Sequence, residues 1–201
     1  MRRLILFAAL AASLAVLPGQ GFAEPKLSAE PGAPPKNADA GRRATLDDLF
    51  ARLAAAQDET EAKGIANLIE RRWLRSGSDT ADLLMTRATE ALNAKEYPLA
   101  IELLDRVITL QPDWAEPWNR RATAFFLLDD PASSMADIRQ VLTREPRHFG
   151  AWAGLGHIYM AGGDKKRALD AYRKALAIYP KLEQVREMLE RLAPEVDGRD
   201  I

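Results

Sequence analysis

The chain repeats itself with a period of about 34 residues, and this period constrains its fold more than any other feature. Pro112, Pro146 and Pro180 each stand one period apart. Six other sets of positions at the same spacing, called columns below, keep their residue size with the exception of Ala91: Leu84, Trp118 and Trp152; Ala88, Ala122 and Gly156; Ala91, Phe125 and Tyr159; Ala100, Ser134 and Ala168; Leu104, Ile138 and Tyr172; Val107, Val141 and Ala175. A period of this length indicates a solenoid, in which each structural unit packs on its neighbours.

The residue types in these columns predict that each unit is a pair of helices. The small side chains of Ala88, Ala122 and Gly156 let two helices approach closely, and the large residues of the other columns fill the space between them. A proline cannot continue a helix interior, so the proline column marks the turn into the next unit. Asp130 and Gly163 stand where the turn inside a unit is expected.

This pattern resembles the tetratricopeptide repeat. The repeat has a large residue at position 4, a small one at 8, an aromatic at 11, a small one at 20, a large one at 24 and proline at 32. The columns follow that order, except that Ala91 stands where an aromatic is usual. The resemblance implies an all-α fold, a right-handed α–α superhelix with three clear repeats. We expect them at 81–114, 115–148 and 149–182.

Both ends of this stack need a cover, because terminal units of a solenoid expose an apolar face. At 45–80 we predict a degenerate repeat-like helix pair that caps the amino end: Phe50 keeps the register, whereas Glu70 breaks it. Trp73 is expected to pack on residues 81–88. At 183–193 an apolar stripe predicts a capping helix, followed by a tail at 194–201.

The amino-terminal segment predicts export. Two arginines precede an apolar run from Leu4 to Leu17, and Gly21 and Ala23 supply small residues before a cleavage site. This is the layout of a secretory signal peptide at 1–23, cleaved after Ala23, and the run is several residues short of a membrane span. Residues 24–44 are rich in proline and predict a disordered linker. We therefore expect an exported, periplasmic protein with no stable membrane insertion; retention of the segment as an anchor is the alternative.

Composition excludes several functional classes. The chain has 28 basic and 29 acidic residues, a formal charge of −1, no cysteine and two histidines. Nucleic-acid binding usually needs a strongly basic surface, and cysteine-based metal or redox sites need thiols, so we expect no nucleic-acid partner, no metal and no cofactor. No group of residues has a spacing diagnostic of catalysis, so we expect no catalytic residues and no enzyme activity.

The resemblance also implies a binding site. In tetratricopeptide repeats the first helix of each pair lines a concave groove, and we expect the partner, another protein or peptide, to bind there. The positions that the resemblance assigns to the groove hold Met85, Thr89, Leu92, Asn119, Thr123, Phe126, Ala153, His157 and Met160. A lining of mixed polarity suits an amphipathic helix or an extended segment with apolar anchors.

Relatives that clamp the carboxyl-terminal tails of heat-shock chaperones carry Lys at position 5 and Asn at position 9. Here those two positions hold Met85 and Thr89, Asn119 and Thr123, and Ala153 and His157. The resemblance therefore does not extend to that clamp.

Two arginines occupy a position that is usually apolar. Arg87 and Arg121 stand one period apart, each within an Arg-Ala-Thr triplet. On neighbouring helices their guanidinium groups could reach one carboxylate or phosphate, with Arg120 and His148 close enough to join such an anionic-group site. The alternative is that the aliphatic stems pack and the heads reach water or a nearby acid.

The sequence predicts a non-enzymatic protein–protein interaction scaffold or adaptor in the bacterial periplasm. An alternative is a structural or self-associating component of an envelope assembly, in which the terminal helix docks on another copy. A third possibility, an enzyme on a helical-repeat scaffold, would require a cofactor that no motif indicates. The oligomeric state and the identity of the partner stay open.

Overall fold

The computed structural model describes residues 36–198, with side chains from residue 46 onward. Every regular element in this range is an α-helix, and in chain order the helices are α1 Lys36–Ala55, α2 Glu59–Trp73, α3 Asp79–Asn93, α4 Tyr97–Leu110, α5 Ala115–Leu127, α6 Pro131–Arg144, α7 Phe149–Ala161, α8 Lys165–Ile178 and α9 Glu183–Asp197. The predicted all-α solenoid is confirmed, with the pairs α3–α4, α5–α6 and α7–α8 following the three repeats.

The repeats share side-chain geometry as well as helix positions. Trp118 Nε1 donates to the carbonyl of Pro112 at 3.2 Å, and Trp152 Nε1 donates to Pro146 at 3.0 Å. Each tryptophan thus ties the first turn of its helix to the proline that ends the preceding unit. The same bond recurs in the next repeat, so the period in the sequence is a period in space.

The small-residue column holds the two helices of a repeat close together. Ala88, Ala122 and Gly156 are all buried, although glycine at the last of these makes room for a far larger neighbour. A Cβ built at Gly156 would lie 2.3 Å from Tyr172 Cε1, and Tyr172 is 1% exposed. Tyrosine at this position therefore requires glycine opposite it.

The turn inside each repeat has one residue in the left-handed region. Lys95, Asp129 and Gly163 have φ of 62°, 60° and 76° and occupy the same position of successive repeats. In the second and third repeats the next residue caps the following helix: the Asp130 carboxylate accepts from the backbone N–H of Ser133, and the Asp164 carboxylate accepts from that of Arg167. Two of the three turns thus combine positive φ with a carboxylate N-cap.

The helix pair predicted at 45–80 is present, but the prediction that it caps the amino end of the stack was wrong. Helices α1 and α2 form a hairpin, but they do not stack on α3 and α4 as a preceding repeat. Their buried residues instead form one cluster with Phe149 and Tyr179, and Leu182 packs against it. The hairpin therefore lies along the edge of the stack, over the turns that join successive repeats.

Aromatic side chains and a turn explain this placement. Trp73 packs on Phe50, His148 and Phe149 rather than on residues 81–88, and its carbonyl accepts a hydrogen bond from Trp114 Nε1 at 2.5 Å. Gly77, with φ of 83°, turns the chain between α2 and α3. The hairpin therefore buries its bulky aromatics at the repeat junctions and not at the amino end of the stack.

Two predicted boundaries differ from the structure. Residues 36–44 were assigned to the linker, but α1 begins at Lys36. The tail was expected from 194, but α9 continues through Pro194 to Asp197. Helix α9 otherwise covers the carboxyl end, where Val185 and Leu192 are buried against α8. The predicted signal peptide at 1–23 and the remainder of the linker lie outside the described residues.

Within residues 36–198, none of the helices combines the length and the apolar character that crossing a bilayer requires.

Candidate functional site

The first helices of the three repeats, α3, α5 and α7, line a groove that contains two adjoining hollows. Five of the nine predicted groove residues lie there: Leu92, Asn119, Thr123, Phe126 and His157. One hollow, of about 290 Å³, lies between these helices and the end of α2. The other, of about 170 Å³, lies between α5 and α7.

The pocket between α5 and α7 has an apolar floor and a polar rim. Ala122, Ile138 and Ile158 are buried beneath it, and Asn119 and Thr123 stand at its rim. Phe126, at 38% exposure, presents an aromatic face to solvent beside it. Such a mixture suits an apolar side chain of a ligand whose backbone is held by polar groups.

Glycine keeps this pocket open. Gly150 and Gly154 are four positions apart on α7 and therefore share one helix face, which is the face that lines the pocket. A Cβ at Gly154 would meet Ile138 Cδ1 at 3.7 Å, which is an ordinary contact. The pocket therefore owes its depth to missing side chains, and a residue larger than alanine at 154 would fill it.

His157 connects the pocket to the core. Its Nδ1 lies 2.9 Å from the hydroxyl of Tyr172. Desolvation lowers the pKa of His157, because removal of water disfavours the imidazolium form. Burial also raises the pKa of Tyr172, so this phenol keeps its proton and can donate it to the neutral imidazole.

Four of the predicted groove residues are elsewhere. Met85 is 3% exposed and belongs to the core beneath α3, so its assignment to the groove surface was wrong. Thr89 lines neither hollow, and its hydroxyl donates to the carbonyl of Met85 on its own helix. Ala153 and Met160 pack against the cluster formed by α8 and α9, because α9 covers that end of the stack.

Arg121 does not face a ligand site. Its Nε and Nη2 donate to the two carboxylate oxygens of Asp137 at 2.7 and 2.8 Å, and its Nη1 is paired with Asp105. The hydrogen bonds with Asp137 raise the pKa of Arg121 further above its usual range. All three nitrogens of the guanidinium thus bind carboxylates of this chain, and its assignment to an anionic-group site was wrong.

Arg120 and His148 also have partners within the chain. Arg120 Nε lies 3.1 Å from Glu116 Oε1, and His148 Nε2 lies 3.2 Å from the other oxygen of the same carboxylate. His148 Nδ1 accepts from the backbone N–H of Ala151 at 3.0 Å, so its ring proton is on Nε2 and donates to Glu116. Both were predicted to contact an anion of the partner, and both bind a buried carboxylate instead.

Arg87 is the exception among these cations. It is exposed, and it makes no ion pair within residues 36–198. It lies on the far face of α3, beside Leu83 and Leu103 rather than near Arg121's carboxylates. The structure therefore does not bring the two arginines together.

Residues of α2 complete the groove and were missed by reasoning from the repeat. Glu70 and Trp73 line the larger hollow opposite Glu116 and His148. Partial desolvation of its carboxylate and the nearby charge of Glu116 raise the pKa of Glu70. The only signal in the sequence was that Glu70 breaks the register of a stacked repeat.

No cluster of three or more histidine, cysteine, aspartate or glutamate side chains suited to a metal ion occurs in the part of the chain that the structure describes.

Three comparisons with known proteins bear on this site. The profile of the family described as "Tetratricopeptide repeat" matches residues 150–182. A TPR repeat-containing protein of Rhizobium etli is 41% identical over 163 residues, which is 81% of this chain and 80% of that protein. Among solved structures, the first TPR domain of Spaghetti bound to an HSP90 peptide is 18% identical with a TM-score of 0.55, covering 58% of this chain and 93% of the domain. MamA is 16% identical with a TM-score of 0.56, covering 82% of this chain and 84% of MamA.

Proposed function

Because the chain belongs to the tetratricopeptide repeat family, we propose that it is a protein-binding scaffold whose groove holds a segment of another protein. The observation that carries this proposal is the pocket between α5 and α7, with an apolar floor, a polar rim and an exposed phenylalanine beside it. The groove is made by packed helices, so little conformational entropy opposes docking.

The groove chemistry favours a segment with an apolar anchor. The pocket volume of about 170 Å³ fits one branched or aromatic side chain. Asn119 and Thr123 can exchange hydrogen bonds with the backbone of an extended segment. A solved relative holds an HSP90 peptide, which supports peptide capture as the mode of action. The tail clamp of chaperone-binding relatives is not proposed, because positions 5 and 9 lack its Lys and Asn.

We place this activity in the bacterial periplasm. The proposal depends on the layout of residues 1–23, whose apolar run is too short to span a bilayer. Mass spectrometry of the protein recovered from cells tests it directly, because cleavage after Ala23 leaves a chain that starts at Glu24.

Site-specific photo-crosslinking in cells tests the groove. A benzophenone amino acid replaces Thr123 in the groove, and in a matched control it replaces Arg139, an exposed residue of α6. We expect a discrete adduct only from position 123, and we expect Gly154→Leu to abolish it because leucine fills the pocket. Adducts of equal yield from both positions, or an adduct at 123 that survives a folded Gly154→Leu variant, would refute the groove as the binding site.

A further inference from the structure

Within residues 36–198, no helix covers the amino end of the repeat stack. Pro117 and Ala151 stand one and two periods after Leu83. Pro117 is less than 2% exposed at the start of α5, which packs on α4, and Ala151 is 1% exposed at the start of α7, which packs on α6. Leu83 occupies the same position on α3 and is 59% exposed. This position is thus covered by the preceding helix pair in the second and third repeats, whereas no helix pair of residues 36–198 stacks on it in the first.

The exposed surface is a shallow apolar hollow with charges at its edge. We call it the open end face, and its residues are Leu83, Leu84, Arg87, Glu90, Leu99 and Leu103. They surround a hollow of about 470 Å³, and Leu99 is 45% exposed. A contiguous apolar surface of this kind marks an interaction site rather than an ordinary protein exterior.

Arg87, on this face, lacks the carboxylate partners that the equivalent arginine of the next repeat has. In the next repeat Arg121 is held by Asp137 of its own repeat and by Asp105 of the preceding one. One period earlier, those two carboxylate positions hold Leu103 and Arg71. Arg87 therefore has neither acid, so an occupant of the open end face that carries a carboxylate would complete its pairing.

A second copy of the same face meets this requirement. When two α3 helices pack antiparallel about a twofold axis between residues 87 and 90, Arg87 of each copy lies opposite Glu90 of the other. The same register places Leu83 opposite Ala94, so a large side chain meets a small one. An isologous contact of this kind forms the Arg87–Glu90 ion pair twice and is closed, so it does not propagate to further copies.

We propose that this protein forms a twofold dimer through the open end face, with reciprocal Arg87–Glu90 ion pairs across the interface. The terminal helix α9 is unsuited to this role, because its outward positions include Gln184, Glu187 and Arg191. A helix of 15 residues is about 22 Å long and neighbouring axes lie about 8–10 Å apart, so the face measures roughly 22 by 20 Å. That area is at the low end for specific interfaces, so the dimer should dissociate at micromolar concentrations.

Sedimentation velocity tests the proposal on the protein as it is recovered after expression, from about 2 to about 200 µM, the range in which a small interface dissociates. We expect a monomer–dimer equilibrium for the wild type. Arg87→Glu should raise the dimer Kd at least about tenfold, because both ion pairs become repulsive. The charge exchange Arg87→Glu with Glu90→Arg should restore the Kd to within about threefold, and Arg139→Glu, a charge change on α6, should leave it unaltered.

Disulfide trapping provides a second measurement, because the chain has no cysteine of its own. Residues 83 and 94 are about 16 Å apart along α3, so cysteines at both positions cannot bridge within one helix, and any disulfide joins two copies. We expect oxidation of the Leu83→Cys, Ala94→Cys variant to give covalent dimer, and Arg139→Cys to give little.

Two results would overturn the proposal. One is a wild type that stays monomeric throughout the concentration range, whichever other molecule then covers the face. The other is a dimer that Arg87→Glu does not weaken and that cysteines 83 and 94 do not trap. Neither result bears on the groove, whose crosslinking assay reads a different surface.

Discussion

The indole of Trp73 stacks on the imidazole of His148, with ring centroids 4.2 Å apart and 10° between the planes. This contact joins the end of α2 to the turn that precedes α7, across the whole of the first two repeats in the sequence. His148 also holds the buried carboxylate of Glu116. One stacked pair thus fixes the amino-terminal hairpin to the edge of the groove.

Replacing Trp73 should release the hairpin from the stack. Trp73 is 9% exposed, and truncation of a buried tryptophan costs about 3–5 kcal/mol. In Trp73→Ala we expect amide hydrogen exchange in α1 and α2 to accelerate by about two orders of magnitude, because roughly 3 kcal/mol of docking free energy is lost. The slowest amides of α4 and α6 should change little.

A matched control is Leu128→Ala, which truncates a leucine at 44% exposure in the α5–α6 turn. Its exchange rates should stay within about threefold of wild type. Uniform acceleration across α1 to α9 in Trp73→Ala would contradict the view that the hairpin is a separate unit docked on the stack.

The position of this hairpin shows what the sequence could not predict. The periodic columns specify which helices neighbour one another, because small and large residues must meet in phase. Phe50 and Trp73 stand in register with the columns of Leu84 and Val107, yet their partners Phe149 and Tyr179 belong to the third repeat, far along the chain. Contacts between a docked segment and the edge of a solenoid have no periodic signal, so the repeat pattern predicted a stacked cap.

Two glycines of α7 should respond in opposite directions to alanine. In Gly156→Ala the new methyl would overlap the Tyr172 ring, with 2.3 Å to Cε1, and overpacking costs about 1–3 kcal/mol. In Gly154→Ala the methyl meets only an ordinary contact, so higher helix propensity should raise stability by about 0.5–1 kcal/mol.

Urea denaturation of the two variants measures these changes against the wild type. Because both substitutions add the same methyl to the same helix, the difference between them isolates the Tyr172 contact. Equal stability of the two variants would show that Tyr172 can move aside at little cost.

Alanine substitution of the two arginines of the Arg-Ala-Thr triplets should change the free energy of unfolding by different amounts. Arg121→Ala leaves the buried carboxylate of Asp137, which is 4% exposed, without its two hydrogen bonds, and we expect a loss of about 2–4 kcal/mol. Arg87→Ala removes a solvent-exposed cation and should change the stability of the monomer by less than about 0.5 kcal/mol. Chemical denaturation at low micromolar concentration compares the stability of the two variants. Similar losses of stability in both would contradict the different roles of Arg121 and Arg87.

The same pair marks the limit of sequence reasoning at the candidate site. Identical triplets predicted identical roles, yet the roles follow from what stands on the neighbouring helix. Asp137 and Asp105 face Arg121, whereas Leu103 takes the equivalent place near Arg87. Groove positions on α5 could be transferred by register because the scaffold repeats on both sides of it. Ion-pair partners could not, because the columns that supply them vary in charge.

Acidification should weaken the fold through His157. Desolvation lowers the pKa of His157 below its value of 6.5 in an unfolded chain, so below pH 6.5 the unfolded chain takes up a proton more readily than the folded one. The contribution of His157 to stability is therefore complete above pH 6.5 and is lost progressively as the pH falls toward the lowered pKa. Protonation also removes the Nδ1 acceptor from the Tyr172 hydroxyl.

His157→Asn separates this effect from other titrations, because asparagine can accept from the Tyr172 hydroxyl and carries no proton equilibrium in this range. Glu70 contributes with the opposite sign: its raised pKa favours the folded state as the pH falls, so the difference between variant and wild type is the informative quantity. Thermal melts from pH 8 to 5 should show the wild type losing stability relative to His157→Asn below pH 6.5. A difference that stays constant with pH would show that His157 titrates alike in the folded and unfolded chains.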